Sequence, residues 1–141
     1  MLFRSEKIKV RNPGAVRPWQ HVLEPLGGYL LLAVRLTNQP LAFSKPFNFG
    51  PLPGDHLTVK ELVELAIQVW GKGEMEVKTS NTQLHEAGLL KLDIQKAITE
   101  LKWYPKLNAR EAIEWALEWY KTDVSKQVEF TFKQIDNYLA K

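Results

Sequence analysis

The chain has 141 residues, of which 45% are hydrophobic and 25% are charged, a composition typical of one ordinary globular domain. It contains no cysteine, which excludes a disulfide framework, a thiolate metal site and a cysteine nucleophile, and which fits a cytoplasmic protein. The net charge of +3 is too small to indicate nucleic acid, and the longest apolar run is far shorter than the roughly 20 residues that cross a bilayer. We therefore expect a soluble protein with neither a nucleic-acid nor a membrane partner.

Basic residues are concentrated near the start of the chain. Up to His21, five lysines and arginines stand against one acidic residue, a net charge of +4 where the whole chain has +3. The charge alone leaves two interpretations open: a solvated basic strand, or an edge that faces phosphate groups.

The first predicted elements are a strand and an apolar helix. Residues 7–11 alternate between charged and apolar side chains, as in a half-exposed strand, and an Asn-Pro-Gly turn at 12–14 ends it. Glu24, followed by proline, suits the first turn of a helix with apolar residues on both sides over 29–36. Such a helix is expected to be buried on both sides.

Two further strands are predicted on either side of a second helix. The alternating phenylalanines of PFNFG at 46–50 predict a short strand, and residues 74–80 alternate in the same way. Thr58, with a glutamate three residues later, is a capping-box signature. It predicts a helix that runs to about Trp70 and ends at Gly71.

Three helices are predicted after residue 90. Asp93 caps a short helix through Leu101, and Asn108, again with a glutamate three residues later, begins the next one. Residues 128–139 fit both a strand and a helix, and the longer pattern favours a helix.

These elements predict a mixed α/β fold with few short strands and several helices. Alternating strands and helices usually build a parallel sheet that helices cover on both faces. Three short strands would make a sheet too narrow for the number of predicted helices. We therefore interpret residues 1–141 as a single partial domain whose remaining sheet lies outside this sequence.

Few residue patterns with known chemistry occur. The histidines at 21, 56 and 85 lack metal-ligand spacing, so we predict structural or surface roles for them and no metal site. No glycine-rich turn has the spacing of a dinucleotide site, so no cofactor-binding residue is predicted in this chain. Trp115 and Trp119, four residues apart on a helix, are expected in a core or interface.

The strongest functional signal lies in one connection just before the apolar helix, where Arg11 and Arg17 are followed by Gln20 and His21. Arginine presents a planar fork that binds phosphate through two hydrogen bonds, and the start of a helix adds a favourable field for an anion. The pattern therefore suits a diphosphate, although ordinary surface arginines before a helix would give the same sequence.

Longer segments carry a family resemblance. RNPGAVRPWQHVLEPLGGYLLLA, FNFGP, HEAGLLKLD, KAITELKWYP and EAIEWALEWY occur in this order along residues 8–138. They resemble the C-terminal half of the CDP-glucose 4,6-dehydratase family, which belongs to the extended short-chain dehydrogenases/reductases. RPWQHVLEPL is the most specific of these motifs.

The resemblance implies the substrate-binding portion of a lyase that converts CDP-glucose to CDP-4-keto-6-deoxyglucose and water for deoxysugar and polysaccharide biosynthesis. It implies that Arg17 contacts the substrate diphosphate, that His21 lies beside it, and that His85 and Glu86 approach the nucleotide. The complete enzyme would use NAD, held by an N-terminal dinucleotide-binding half. The catalytic Tyr-x-x-x-Lys pair of such enzymes is missing from these residues, so no catalytic residue is predicted and the chain is expected to be inactive alone.

Two alternatives stay open beside this interpretation. The first is a portion of another nucleotide-sugar epimerase or dehydratase, which would change the substrate and the reaction. The second is a non-enzymatic module that uses its basic edge to bind a partner, although the basic residues occupy one short segment rather than a broad stripe. The sequence does not decide whether the protein forms a homo-oligomer.

Overall fold

A computed structural model describes residues 7–78 and 88–141 as short strands and longer helices. The strands are β1 (Ile8–Val10), β2 (Val16–Arg17), β3 (Leu57–Thr58) and β4 (Met75–Val77). The α-helices are α1 (Leu23–Asn38), α2 (Pro40–Phe43), α3 (Val59–Trp70), α4 (Ala109–Lys121) and α5 (Gln127–Ala140), with a π-helical turn at Ala97–Leu101 and a 3-10 turn at Val124–Lys126. The predicted mixed α/β class is confirmed.

The described strands form two separate pairs. β1 and β4 are parallel, with Ile8 opposite Met75, and they confirm the strands predicted within residues 7–11 and 74–80. β2 and β3 are antiparallel, with Arg17 opposite Leu57. Each member of this second pair has only two residues, so its sequence carries no alternation by which it could be predicted.

The helix boundaries follow the predicted caps. The Thr58 hydroxyl accepts a hydrogen bond from the Glu61 N–H at 3.2 Å, and the Glu61 carboxylate accepts one from the Thr58 N–H at 2.8 Å. The same two backbone and side-chain bonds join Asn108 and Glu111 at the start of α4. Gly71 ends α3 with a φ of 90°, a conformation that glycine adopts without a steric penalty.

The three helices predicted after residue 90 are confirmed. The Asp93 carboxylate accepts a hydrogen bond from the Gln95 N–H at 2.8 Å and begins the predicted short helix, whose last turn is π-helical. Residues 128–139 lie within α5, which confirms the helix over the strand. The helical spacing places the buried Gln134 and Tyr138 on one side of α5.

The predicted strand at 46–50 is wrong, because this segment is irregular. The Phe49 carbonyl accepts a hydrogen bond from the Gln20 side chain at 3.0 Å, and the Asn48 side chain donates to the Asp93 carbonyl at 3.1 Å. The backbone and side chains of the segment therefore bond to side chains and loops rather than to a neighbouring strand. Phe49 is nevertheless buried, so the alternating phenylalanines indicated a buried side chain and not a paired strand.

The prediction that α1 is buried on both sides is also wrong for the described residues. Leu31 and Leu32 pack against the core, but Leu30 is 71% exposed and Val34 is 58% exposed. One face of α1 is thus apolar and uncovered. No helix among the described residues has the length and apolarity needed to span a membrane.

The core beneath α1 is built around two aromatic rings. Phe49 and Trp103 pack edge to face with their centroids 5.0 Å apart, and Ile94, Ala97 and Leu101 complete the buried cluster. Gly28 of α1 lies directly over the Phe49 ring, which brings the helix close to this cluster. The start of α1, and with it residues 17–23, is therefore held against a well-packed base.

Candidate functional site

Arg17 lies on β2 and is held by its neighbours on both sides. The Trp19 indole donates a hydrogen bond to the Leu57 carbonyl across the β2–β3 pair at 3.0 Å, and the Val59 N–H donates to the Ala15 carbonyl at 2.9 Å. The Arg17 guanidinium donates to the Val16 carbonyl at 2.8 Å and is half-buried. The segment that carries this arginine is therefore fixed by α3 and β3.

The other predicted basic and nucleotide-side residues stand in different places. Arg11 is exposed just after β1, and the turn that separates it from β2 is closed by the Ala15 N–H and the Asn12 carbonyl at 3.3 Å. His85 and Glu86 lie outside the described residues, so their positions stay a prediction.

Gln20 connects the segment after Arg17 to the core. Its amide nitrogen donates to the Phe49 carbonyl at 3.0 Å, whereas its Oε1 is buried and has no hydrogen-bond partner among the described residues. Gln20 therefore fixes the segment after Arg17 to the loop that carries Phe49.

His21 is buried, with 7% of its surface exposed. Its Nδ1 accepts a hydrogen bond from the Leu23 N–H at 3.3 Å, and its ring packs edge to face on Trp115 with centroids 5.9 Å apart. Burial removes water from the ring and lowers the pKa of His21, which favours the neutral imidazole. The charge that this segment offers to an anion therefore comes from arginine and not from His21.

We expect His21 to make folding stability depend on pH. Because its pKa is lower in the folded than in the unfolded chain, the unfolded chain binds the extra proton first and stability falls as the pH drops below about 6.5. Urea unfolding at a series of pH values should show this slope in the native chain. It should be smaller in His21→Phe, and an equal slope in the native chain and in this variant would contradict the assignment.

A cavity of about 420 Å³ opens beside Gln20 and His21. It lies between the start of α1 and the helices α4 and α5, and neither Arg11 nor Arg17 lines it. The described residues of its wall are Gln20, His21, Val22, Leu23, Ala116, Trp119, Tyr120, Thr131, Gln134 and Ile135. The predicted site residues therefore lie in two places. Gln20 and His21 line this cavity, whereas Arg11 and Arg17 lie outside it.

Glu24, in the first turn of α1, is a buried acidic residue that ties this helix to distant parts of the chain. Its side chain is fully buried, and its carboxylate accepts hydrogen bonds from the Lys106 N–H at 2.9 Å, the Leu107 N–H at 2.7 Å and the Tyr138 hydroxyl at 3.0 Å. Burial and the neighbouring carboxylate raise the pKa of Tyr138, so this hydroxyl stays a donor. An acid in a first helical turn is usually solvated, and nothing local in the sequence marks this one as buried.

Comparison with known proteins identifies a curated relative of this chain. The chain is 38% identical over 117 residues to a CDP-glucose 4,6-dehydratase from Salmonella typhimurium. The alignment covers 83% of this chain but 33% of that protein, and it lies in its C-terminal part. No protein-family model matches the chain. The resemblance predicted from the motifs is confirmed, and the chain spans about a third of the length of the relative that it matches.

Proposed function

We propose that this chain is the substrate-binding portion of a CDP-glucose 4,6-dehydratase, an enzyme that forms CDP-4-keto-6-deoxyglucose and water for deoxysugar and polysaccharide synthesis in the cytoplasm. The observation that carries the proposal is the 38% identity to the C-terminal part of such an enzyme, extended over most of this chain. The 141 residues would bind the nucleotide sugar but would not turn it over alone, because they lack a Tyr-x-x-x-Lys pair.

The NAD of the complete enzyme is proposed to bind outside this chain. A dinucleotide site needs a glycine-rich turn between a strand and a helix. Gly27 and Gly28 lie inside α1 and Gly71 ends α3, so none of these three glycines lies in such a turn. NAD would accept and return hydride during the reaction, and we assign no part of that chemistry to these residues.

Within this chain, Arg17 is proposed to bind the diphosphate of the substrate. A guanidinium matches two phosphate oxygens and keeps its charge at any physiological pH. The hydrogen bonds that fix β2 hold the arginine in place before the ligand arrives, which lowers the entropy cost of binding. Arg11 would add positive charge to the same edge, whereas Gln20 and His21 would hold the segment against the core.

The uncovered face of α1 supports an N-terminal dinucleotide-binding half as the partner of this chain. Leu26, Leu30 and Val34 are spaced by four residues, so they form one stripe, and all three are exposed. Contiguous exposed apolar surface of this kind marks an interface. The two thirds of the relative that this chain does not match would supply the covering surface.

Replacing Arg17 by alanine is expected to weaken CDP-glucose binding by about 1.5 to 3 kcal/mol, the usual worth of a hydrogen bond to a charged group. Isothermal titration would measure this in the 141-residue chain and in a full-length dehydratase that contains it. Arg17→Lys should recover only part of the loss, because lysine keeps the charge but not the fork. Arg110→Ala, which removes an exposed arginine of α4 paired with Glu114, is the matched control.

Unchanged affinity in Arg17→Ala would remove this residue from the site. If another sugar nucleotide displaced CDP-glucose or bound more tightly, the chain would instead serve a related epimerase or dehydratase. Binding of DNA or RNA with a steep salt dependence, without any effect of CDP-glucose, would favour the non-enzymatic module.

A further inference from the structure

Two buried polar side chains, those of His21 and Gln134, line the cavity, and each makes one hydrogen bond to the backbone. His21 uses Nδ1 to accept from Leu23, so its proton resides on Nε2. Gln134, also 7% exposed, uses its amide nitrogen to donate to the Trp115 carbonyl at 2.7 Å. Neither His21 Nε2 nor Gln134 Oε1 has a partner among the residues that the structure describes, and both side chains line the cavity.

The two open atoms are complementary to one kind of ligand group. Nε2–H is a donor and Oε1 is an acceptor, so a group that both accepts and donates satisfies the pair. A carboxamide has a carbonyl oxygen that accepts and an N–H group that donates, so one such group matches both atoms.

The rest of the wall favours a flat and uncharged molecule. Trp119 and Tyr120 pack edge to face with their centroids 5.2 Å apart, and the Trp119 indole is fixed by a 2.8 Å bond to the Thr131 hydroxyl. Among the described residues that line the cavity there is no acid, lysine or arginine. A charged ligand would lose its hydration here without an ionic partner, whereas an aromatic ring would gain contact with apolar and aromatic walls.

We propose that this cavity is a binding site for a small, neutral, aromatic carboxamide, separate from the nucleotide-sugar site proposed at Arg17. Its volume of about 420 Å³ is in the range of known small-molecule sites, which hold an apolar body and a few convergent polar groups. The inference rests on the cavity and its hydrogen-bonding atoms, and it does not depend on the proposed dehydratase function.

Benzamide is the probe for this site, with benzoate and N,N-dimethylbenzamide as comparisons. Titration into the isotopically labelled 141-residue chain should shift the Trp119 indole and Gln134 amide NMR signals in a saturable way. Benzoate should bind at least about tenfold more weakly because of its charge, and N,N-dimethylbenzamide because it has no N–H donor. Equal affinity for all three probes would overturn the proposed recognition.

Two substitutions fill the cavity without touching its polar atoms. Ala116→Phe places a ring in the wall from α4, and Val22→Trp does so from an exposed position that tolerates a large side chain. Both should abolish the benzamide shifts, whereas Ala140→Phe, at the exposed end of α5, should retain them. Shifts that persist in folded Ala116→Phe and Val22→Trp, or no saturable shift in the native chain, would overturn the proposal.

CDP-glucose distinguishes this cavity from the proposed substrate site. If the cavity is separate, CDP-glucose should not displace benzamide, and Arg17→Ala should leave benzamide binding unchanged. Competition between the two ligands would instead join the cavity to the nucleotide-sugar site. A failed CDP-glucose titration with intact benzamide binding would contradict only the proposed function.

Discussion

Replacing Glu24 by leucine is expected to lower the free energy of unfolding by about 4 kcal/mol, since buried donors that lose their acceptor each cost about 1 to 3 kcal/mol. The substitution leaves the backbone N–H groups of Lys106 and Leu107 and the hydroxyl of Tyr138 without the carboxylate that accepts from all three. These bonds join residues far apart in the sequence, so their loss separates α1 from α5 and from the loop before α4. Urea unfolding followed by circular dichroism would measure the change.

Graded variants separate the contributions at Glu24. Glu24→Gln keeps one carbonyl oxygen for the two backbone donors and should cost about 1 to 2 kcal/mol. Tyr138→Phe removes only the hydroxyl bond and should cost about the same. Glu118→Leu, at an exposed position of α4, is the control and should change stability by less than about 0.5 kcal/mol. A loss in Glu24→Leu no larger than in Glu118→Leu would show that the carboxylate does not hold these elements together.

Gly28→Ala is expected to destabilise the chain by about 2 kcal/mol. A Cβ atom at residue 28 would lie 2.3 Å from the Phe49 ring, which is buried and already packs edge to face on Trp103. Overpacking a core lowers the free energy of unfolding by up to about 3 kcal/mol. The higher helix propensity of alanine raises it by about 1 kcal/mol, which leaves the net loss of about 2 kcal/mol. Thermal and urea unfolding would measure the net effect.

Two further variants test this steric explanation. In Gly28→Ala combined with Phe49→Leu, the smaller side chain makes room for the methyl group, so the two changes should cost less together than the sum of each alone. Gly54→Ala, where a Cβ atom would meet nothing within 4 Å, should be close to neutral. If Gly28→Ala stabilised the chain, helix propensity would outweigh the clash and Phe49 would have to move freely.

Both large effects fall at the start of α1, directly after the residues proposed to bind the substrate. Gly28 sets how closely α1 approaches the core, and Glu24 sets how its first turn meets α5. His21 and Gln20 bond to Leu23 and Phe49 in the same region. The position of Arg17 is therefore expected to depend on packing that lies several residues beyond it.

Local signals predicted the helices well. Thr58 and Asn108 identified the starts of α3 and α4 because a capping box is formed by residues three positions apart. The same reasoning failed at 46–50, where two alternating phenylalanines indicate burial but not the partner of the backbone. β2 and β3 were not predictable, because a two-residue pair exists only through contacts between residues 40 positions apart.

The candidate site was likewise predictable only in part. The amino-acid types at Arg11, Arg17, Gln20 and His21 predicted a binding segment, and the longer motifs predicted the relative that the comparison found. No pattern in the sequence indicated that His21 and Gln134 line one cavity, since they lie on different elements that meet only when α5 packs beside the start of α1.

The sequence by itself determined the mixed α/β class, the capped ends of α3 and the start of α4, and the resemblance to a nucleotide-sugar dehydratase, because caps, periodicity and motifs are properties of neighbouring residues. Only the tertiary structure decided that Glu24 is buried, that the described residues leave one face of α1 uncovered and that a cavity opens beside His21. Burial and cavity shape depend on which distant segments meet, and that choice is made by the packing of the whole chain rather than by any short stretch of it.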